Sequence, residues 1–101
     1  MAAQPVYQGC YSSQGTLRNR GAYAFESTGH CYQTCMASAS PVLATTNGNE
    51  CLCGDEVPAA SKKVDDSTCN LSCAGYAMEK CGGKGYFSVY TMGEENGGSC
   101  Q

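Results

Sequence analysis

The chain has 101 residues, nine of them Cys, and a formal net charge of −3 from six basic and nine acidic residues. This length makes one domain rather than two, and the negative charge argues against nucleic acid, whose phosphates need a basic surface. No apolar run approaches the roughly 18 residues of a membrane-spanning helix, so we expect no direct membrane contact by this segment.

The first half of the chain predicts a strand, a helix and a hairpin. A strand is predicted over Val6–Tyr11, and the polar, Gly-containing stretch 12–22 is predicted to be a loop. Ser27 or Thr28 can cap a helix that runs to about Ala39. Its buried stripe would contain Cys31, Tyr32, Cys35, Met36 and Ala39.

The Asn47-Gly48 pair favours a type I′ turn, because both central residues of that turn need a positive φ. It predicts a hairpin between strands over 42–45 and 50–53. A surface loop should follow over 55–63. Asp65 and its polar neighbours suit the start of a second, short helix over about 68–78. The last strand is expected over 86–92, and the Gly-rich residues 93–101 should form a flexible tail.

The cysteine spacings carry geometric information. Cys31 and Cys35, four apart on a helix, are separated by a rise of about 6 Å. Cys51 and Cys53, two apart on a strand, are separated by about 6.6 Å. Because these spans nearly match, a helix lying on that strand could carry two parallel disulfides, each adding about 3 kcal/mol to stability. A Cys content near 9% is also typical of secreted, disulfide-stapled modules.

Metal binding and catalysis are the alternatives for these residues. The C-x-C spacing is a poor zinc motif, His30 is the single His, and no redox C-x-x-C is present. Asp55-Glu56 and Asp65-Asp66 are pairs of sequence neighbours, which need not converge on one bond. We therefore expect no metal, no cofactor and no enzymatic activity. The start 1–5 lacks the regions of a signal peptide, so we interpret the chain as a mature fragment with a substitute start Met.

A series of short motifs follows in a fixed order along residues 7–90. They are Tyr7-Gln8-Gly9-Cys10-Tyr11, Cys31-x3-Cys35, Glu50-Cys51-Leu52-Cys53-Gly54, Cys69-x3-Cys73-Ala74-Gly75, Cys81-Gly82-Gly83 and Ser88-Val89-Tyr90. Together they resemble the WSC domain of fungal cell-wall stress sensors, secreted wall-active fungal proteins and animal Kremen receptors. The chain departs from the family pattern at Leu52, where Tyr is usual, and at Cys100, which has no counterpart among the family's eight cysteines.

The resemblance implies a disulfide framework and a fold. The implied bridges are Cys10–Cys69, Cys31–Cys51, Cys35–Cys53 and Cys73–Cys81. The middle two agree with the spacing argument, and the outer two depend on the resemblance alone. The implied fold is a small α+β module over residues 6–92, similar to PAN/Apple modules, with a helix packed on a small antiparallel sheet and a second short helix.

The resemblance also implies a function at the cell surface. The chain would be the extracellular head of a cell-wall stress sensor, a mechanosensor that contacts wall polysaccharide such as β-glucan or mannan. Its parent protein would be anchored in the plasma membrane. The alternative is a protein-interaction module that clusters sensors by self-association.

Sugar binding needs flat aromatic faces with polar partners. Five aromatic residues outside the predicted strand core are candidates for sugar contact or clustering, with plain packing as the alternative for each: Tyr23, Phe25, Tyr32, Tyr76 and Tyr86. The strand residues Tyr7, Tyr11, Phe87 and Tyr90 are expected in the core.

Two further sites are suggested by local sequence. Asn70-Leu71-Ser72 matches the N-glycosylation pattern, although an incidental match is equally open. Cys100 is the odd cysteine in a Gly-rich segment, and we expect it to stay free or to join two chains without being needed for folding.

Overall fold

The secondary structure is dominated by short strands. The computed structural model describes residues 5–92, which contain eight strands, one α-helix and two 3₁₀ turns. The elements in chain order are β1 Val6–Tyr11, β2 Arg18–Ala22, α1 Thr28–Ala37, β3 Val42–Thr46, β4 Glu50–Gly54, β5 Lys63–Val64, β6 Ser72–Cys73, β7 Tyr76–Lys80 and β8 Phe87–Thr91. The 3₁₀ turns cover Ala60–Lys62 and Asp66–Thr68. The predicted tail 93–101, with Cys100, lies outside the described residues.

Six strands form one antiparallel sheet in the order β2-β4-β3-β8-β1-β5, and β6 pairs with β7 separately. Because side chains alternate across a sheet, each face has its own apolar cluster. One cluster lies between α1 and the sheet and contains Cys31 and Cys35 of the helix with Leu43, Cys51 and Cys53 of the strands. The opposite face contains Tyr11, Leu17, Val42, Ala44, Leu52 and Val89. The α+β architecture is thus as predicted, and the likeness to PAN/Apple modules stays a prediction.

The ends of α1 follow from its capping residues. The Ser27 hydroxyl accepts a hydrogen bond from the His30 N–H at 3.1 Å, as expected for an N-cap. The helix ends at Ala37 rather than near Ala39, whose φ of 58° is left-handed. The predicted buried stripe is therefore only partly right, since Ala39 lies beyond the helix and the Met36 side chain is 55% exposed.

The hairpin between β3 and β4 is confirmed. Asn47 and Gly48 have φ values of 55° and 80°, the positive values that a type I′ turn requires. The Asn49 N–H donates to the Thr46 carbonyl oxygen at 3.2 Å and closes the turn. Both strands extend one residue further than predicted.

The predicted second helix is wrong. A 3₁₀ turn over Asp66–Thr68 and the hairpin β6–β7 occupy that region. Asp65 does act as a cap, but of the 3₁₀ turn, by accepting from the Ser67 N–H at 2.9 Å. The turn of the hairpin is fixed by long-range bonds, since the Gly75 N–H donates to the Glu26 carbonyl at 2.7 Å. Tertiary contacts therefore override the local helix-start signal at Asp65.

The loop predicted over 12–22 is wrong in its second half, where β2 forms the edge of the sheet. All five residues of Arg18–Ala22 are exposed, so no alternation of apolar and polar side chains marks the strand. β2 is defined by its backbone pairing with β4 alone.

Four disulfides cross-link the fold, at the pairings that the resemblance implies. Two fasten α1 to β4, one joins β1 to the segment after the second 3₁₀ turn, and one closes the β6–β7 hairpin. They are Cys31–Cys51, Cys35–Cys53, Cys10–Cys69 and Cys73–Cys81. The sulfur atoms of Cys31, Cys35 and Cys51 lie within 4.8 Å of one another, but disulfide sulfur is not the thiolate that a metal ion needs.

Candidate functional site

Three of the five predicted contact residues are exposed and lie on two segments that touch. The side chains of Tyr23, Phe25 and Tyr76, here called the aromatic surface, are 43%, 70% and 51% exposed. The rings of Tyr23 and Phe25 meet edge to face with centroids 6.0 Å apart. The backbone of Gly75, the neighbour of Tyr76, contacts the backbone of Phe25 so closely that a Cβ would not fit there.

A buried carboxylate orients part of the aromatic surface. Glu26 is fully buried, and its Oε1 lies 2.8 Å from Nδ1 of His30. The imidazole ring of His30 stacks on the ring of Tyr23, with centroids 4.1 Å apart and planes 15° apart. The sequence pattern assigned no role to Glu26, because a single acidic residue carries no signal of burial. The Glu26–His30 pair therefore fixes the position of the Tyr23 ring.

The other two predicted contact residues are half-buried. Tyr32 packs against the disulfide cluster beneath α1. The Tyr86 carbonyl accepts a hydrogen bond from Oγ1 of Thr46 at 2.7 Å, next to its bridge with Gly83. Ligand contact at these two rings stays a prediction, as does glycosylation of Asn70, which is exposed before β6.

The four aromatic residues expected in the core divide into two groups. Tyr11 is 5% exposed, and Phe87 and Tyr90 are half-buried against the two apolar clusters. The expectation is wrong for Tyr7, whose side chain is 42% exposed. Tyr7 lies on the face that α1 covers, but α1 packs on β3 and β4 and leaves the β1–β8 part of that face open.

A cleft of about 620 Å³ occupies this open part of the sheet. We call it the tyrosine cleft and define it by Tyr7, Thr28, Asp66, Glu79 and Tyr90. The two tyrosine rings are cross-strand partners, with centroids 5.2 Å apart and planes tilted by 57°. The Tyr7 hydroxyl donates to Oδ1 of Asp66 at 3.0 Å, and the Thr28 N–H donates to Oε1 of Glu79 at 3.2 Å. No local motif predicts this site, because its members come from five separate segments of the chain.

Burial raises the pKa of the Tyr7 hydroxyl well above its usual value near 10, and the hydrogen bond to Asp66 raises it further. Burial also raises the pKa of Tyr90. Because both shifts favour the protonated form in the folded state, their stabilising effect is complete below pH 10 and is lost as the pH rises through the folded-state values.

We therefore expect that an alkaline titration of the folded domain, measured by tyrosinate absorbance, shows a late phase in which tyrosines ionise at higher pH than the others. Tyr7→Phe should reduce the amplitude of that phase, and Asp66→Asn should move it to lower pH, because the anionic acceptor disfavours tyrosinate. A late phase that neither substitution changes would contradict the Tyr7–Asp66 hydrogen bond.

The size, the four disulfides, the single described helix and the exposed rings define a class of protein, the extracellular cysteine-rich α+β module. Within that class the assignment is specific. The family model of the WSC domain matches residues 7–83, and the chain belongs to the WSC domain family.

Its relatives include proteins of yeast cell-wall integrity. An uncharacterized protein of Pichia angusta is 44% identical over 94 residues, which are 90% of this chain and 24% of that protein. Protein SLG1 of Saccharomyces cerevisiae is 37% identical over 87 residues, 85% of this chain and 23% of that protein. Cell wall integrity and stress response component 3 of the same yeast is 35% identical over 94 residues, 87% of this chain and 16% of that protein.

The chain thus spans about a quarter or less of the length of these curated relatives. The relatives and the disulfides fit an extracellular, cell-surface location. Among residues 5–92, no helix combines the length and the apolar composition needed to cross a membrane.

Proposed function

We propose that this domain is the wall-contacting head of a cell-wall stress sensor and that it binds wall polysaccharide, β-glucan or mannan, through the aromatic surface. The observation that carries the proposal is the exposure of Phe25 and Tyr76 on two segments that touch, with the Tyr23 ring next to Phe25 and stacked on His30. The kinship with a cell wall integrity and stress response component supports the wall as the setting. The parent protein's membrane anchor and its response to force belong to the same proposal.

The chemistry suits weak, repeated contacts. A sugar ring stacks its C–H face on an aromatic ring, but its hydroxyls must leave water to bind the protein. A single ring buries little area, so we expect a Kd of about 1 mM, equivalent to about −4 kcal/mol. Many heads on one wall raise the effective affinity, because each bound head holds its neighbours near the polymer.

Retention on insoluble β-glucan and on mannan tests the proposal. Phe25→Ala and Tyr76→Ala should each weaken retention about 5-fold, the value of one aromatic contact. Their thermal midpoints should stay unchanged, because both side chains are more than half exposed. Met78→Ala is the matched control, since Met78 is 82% exposed on the same hairpin and offers no ring.

Self-association is the second candidate function. Phe25 and Met78 are 70% and 82% exposed, and large exposed apolar side chains also drive protein contacts. Sedimentation at increasing concentration separates the two functions. If the wild-type domain is not retained on any wall polysaccharide, yet associates in a manner that Phe25→Ala abolishes, the polysaccharide proposal is wrong and the clustering function stands.

A further inference from the structure

We propose that the tyrosine cleft is a second binding site, for one or two neutral sugar residues of the same wall polymer. The inference rests on the proposed function, that the domain binds wall polysaccharide, and adds a place of contact separate from the aromatic surface.

The floor of the cleft is a rigid pair of rings. Tyr7 and Tyr90 face each other across β1 and β8, and Tyr90 is half-buried against the cluster beneath α1. Tyr7 is 42% exposed and presents its ring to the cleft. The Cys10–Cys69 disulfide, which joins β1 to the cleft wall, limits how far the walls can separate. An exposed ring on rigid strands can stack a sugar without losing side-chain freedom.

The walls supply groups that bind hydroxyls. The carboxylates of Asp66 and Glu79 come from the second 3₁₀ turn and from β7, and each is oriented by one hydrogen bond. A carboxylate has about four acceptor positions, so each can accept further bonds from a ligand. The Thr28 side chain is 6% exposed and lines the cleft beside the Tyr90 hydroxyl, with which it interacts.

Charge and size select the ligand. Asp66 and Glu79 outnumber Lys80, so the cleft carries net negative charge and disfavours an acidic sugar. Its volume of about 620 Å³ lies within the roughly 300–1,000 Å³ range of small-molecule pockets. The cleft therefore fits a short neutral stretch of polymer.

Chemical-shift mapping of the isotope-labelled domain tests the site, with a β-1,3-glucan hexasaccharide and a mannan oligosaccharide as probes. For at least one probe, the amides of Tyr7, Thr28 and Tyr90 should shift on titration. A galacturonan oligomer, which is acidic, should shift them less. Tyr7→Ala should weaken binding about 5-fold, and Asp66→Asn should weaken it by a smaller factor while the thermal midpoint shows that both variants are folded.

Tyr76→Ala is the control on the aromatic surface and should leave the shifts in the cleft in place. If the wild-type domain binds a probe but the shifts are confined to residues 23–25 and 76, the cleft proposal is overturned and the proposed function stands, whether or not Tyr7→Ala folds. If the wild-type domain binds neither the oligosaccharides nor the insoluble polymers, both proposals fall.

Discussion

Replacing Cys10 and Cys69 together by Ala is expected to lower the free energy of unfolding by about 4 kcal/mol. The two residues are 59 positions apart, so their bridge removes more freedom from the unfolded chain than any other disulfide of the described residues. The loss is a large share of the 5–15 kcal/mol typical of a domain. Urea denaturation without reductant measures it, as a lower midpoint with a steeper slope, because the unfolded chain without the bridge is less compact and exposes more surface.

The Cys73–Cys81 bridge provides the matched control. Its cysteines are only 8 positions apart, so the double Ala variant should lose about 2.5 kcal/mol. Both variants make the same chemical change at two buried positions, which isolates the effect of loop length. An equal or larger loss from the short loop would show that chain entropy does not govern the contribution of these bridges.

Leu52→Ala is expected to lower the free energy of unfolding by about 3 kcal/mol, within the 2–5 kcal/mol range of buried Leu substitutions. Leu52 is fully buried in the apolar cluster opposite α1, where it is the cross-strand partner of Ala44. The removed methyl groups would leave a cavity, because β3 and β4 are fixed by their ladder and cannot close around it.

The control is Val6→Ala, since the Val6 side chain is 49% exposed and should change stability by less than about 0.5 kcal/mol. Thermal and urea unfolding measure both variants. Equal losses at the two positions would be inconsistent with a core at Leu52. The family pattern usually has Tyr where this chain has Leu52. Because Leu52 is fully buried, its side chain serves packing and does not face a ligand.

The parts of the fold that sequence predicted are those where a local pattern and the tertiary structure agree. Asn47 and Gly48 specify their turn through backbone conformation alone. Ser27 caps α1 by accepting a hydrogen bond from the N–H of His30, three residues later. The matched spacings of helix and strand cysteines located the contact between α1 and β4 for the same reason. Each of these signals is complete within a few residues.

The errors arose where distant partners decide the outcome. Asp65 and its polar neighbours suggested a helix over 68–78, yet the two cysteines in that stretch, Cys69 and Cys73, bond to separate parts of the fold, Cys10 and Cys81. Tyr7 alternates like a core residue, and only the position of α1 on the sheet reveals that its face is open. The tyrosine cleft needed the same information, so no sequence pattern could have located it.

The position of β8 has a mechanical consequence. β8 lies between β3 and β1, so a pull applied at Met92 along the strand shears two ladders at once instead of peeling one. The Met92 N–H also donates to the Pro41 carbonyl at 3.0 Å, just before β3. The β3–β4 ladder connects β3 to β4, and the disulfides Cys31–Cys51 and Cys35–Cys53 connect β4 to α1. Tension applied at Met92 would therefore reach α1 through two backbone ladders and two disulfides.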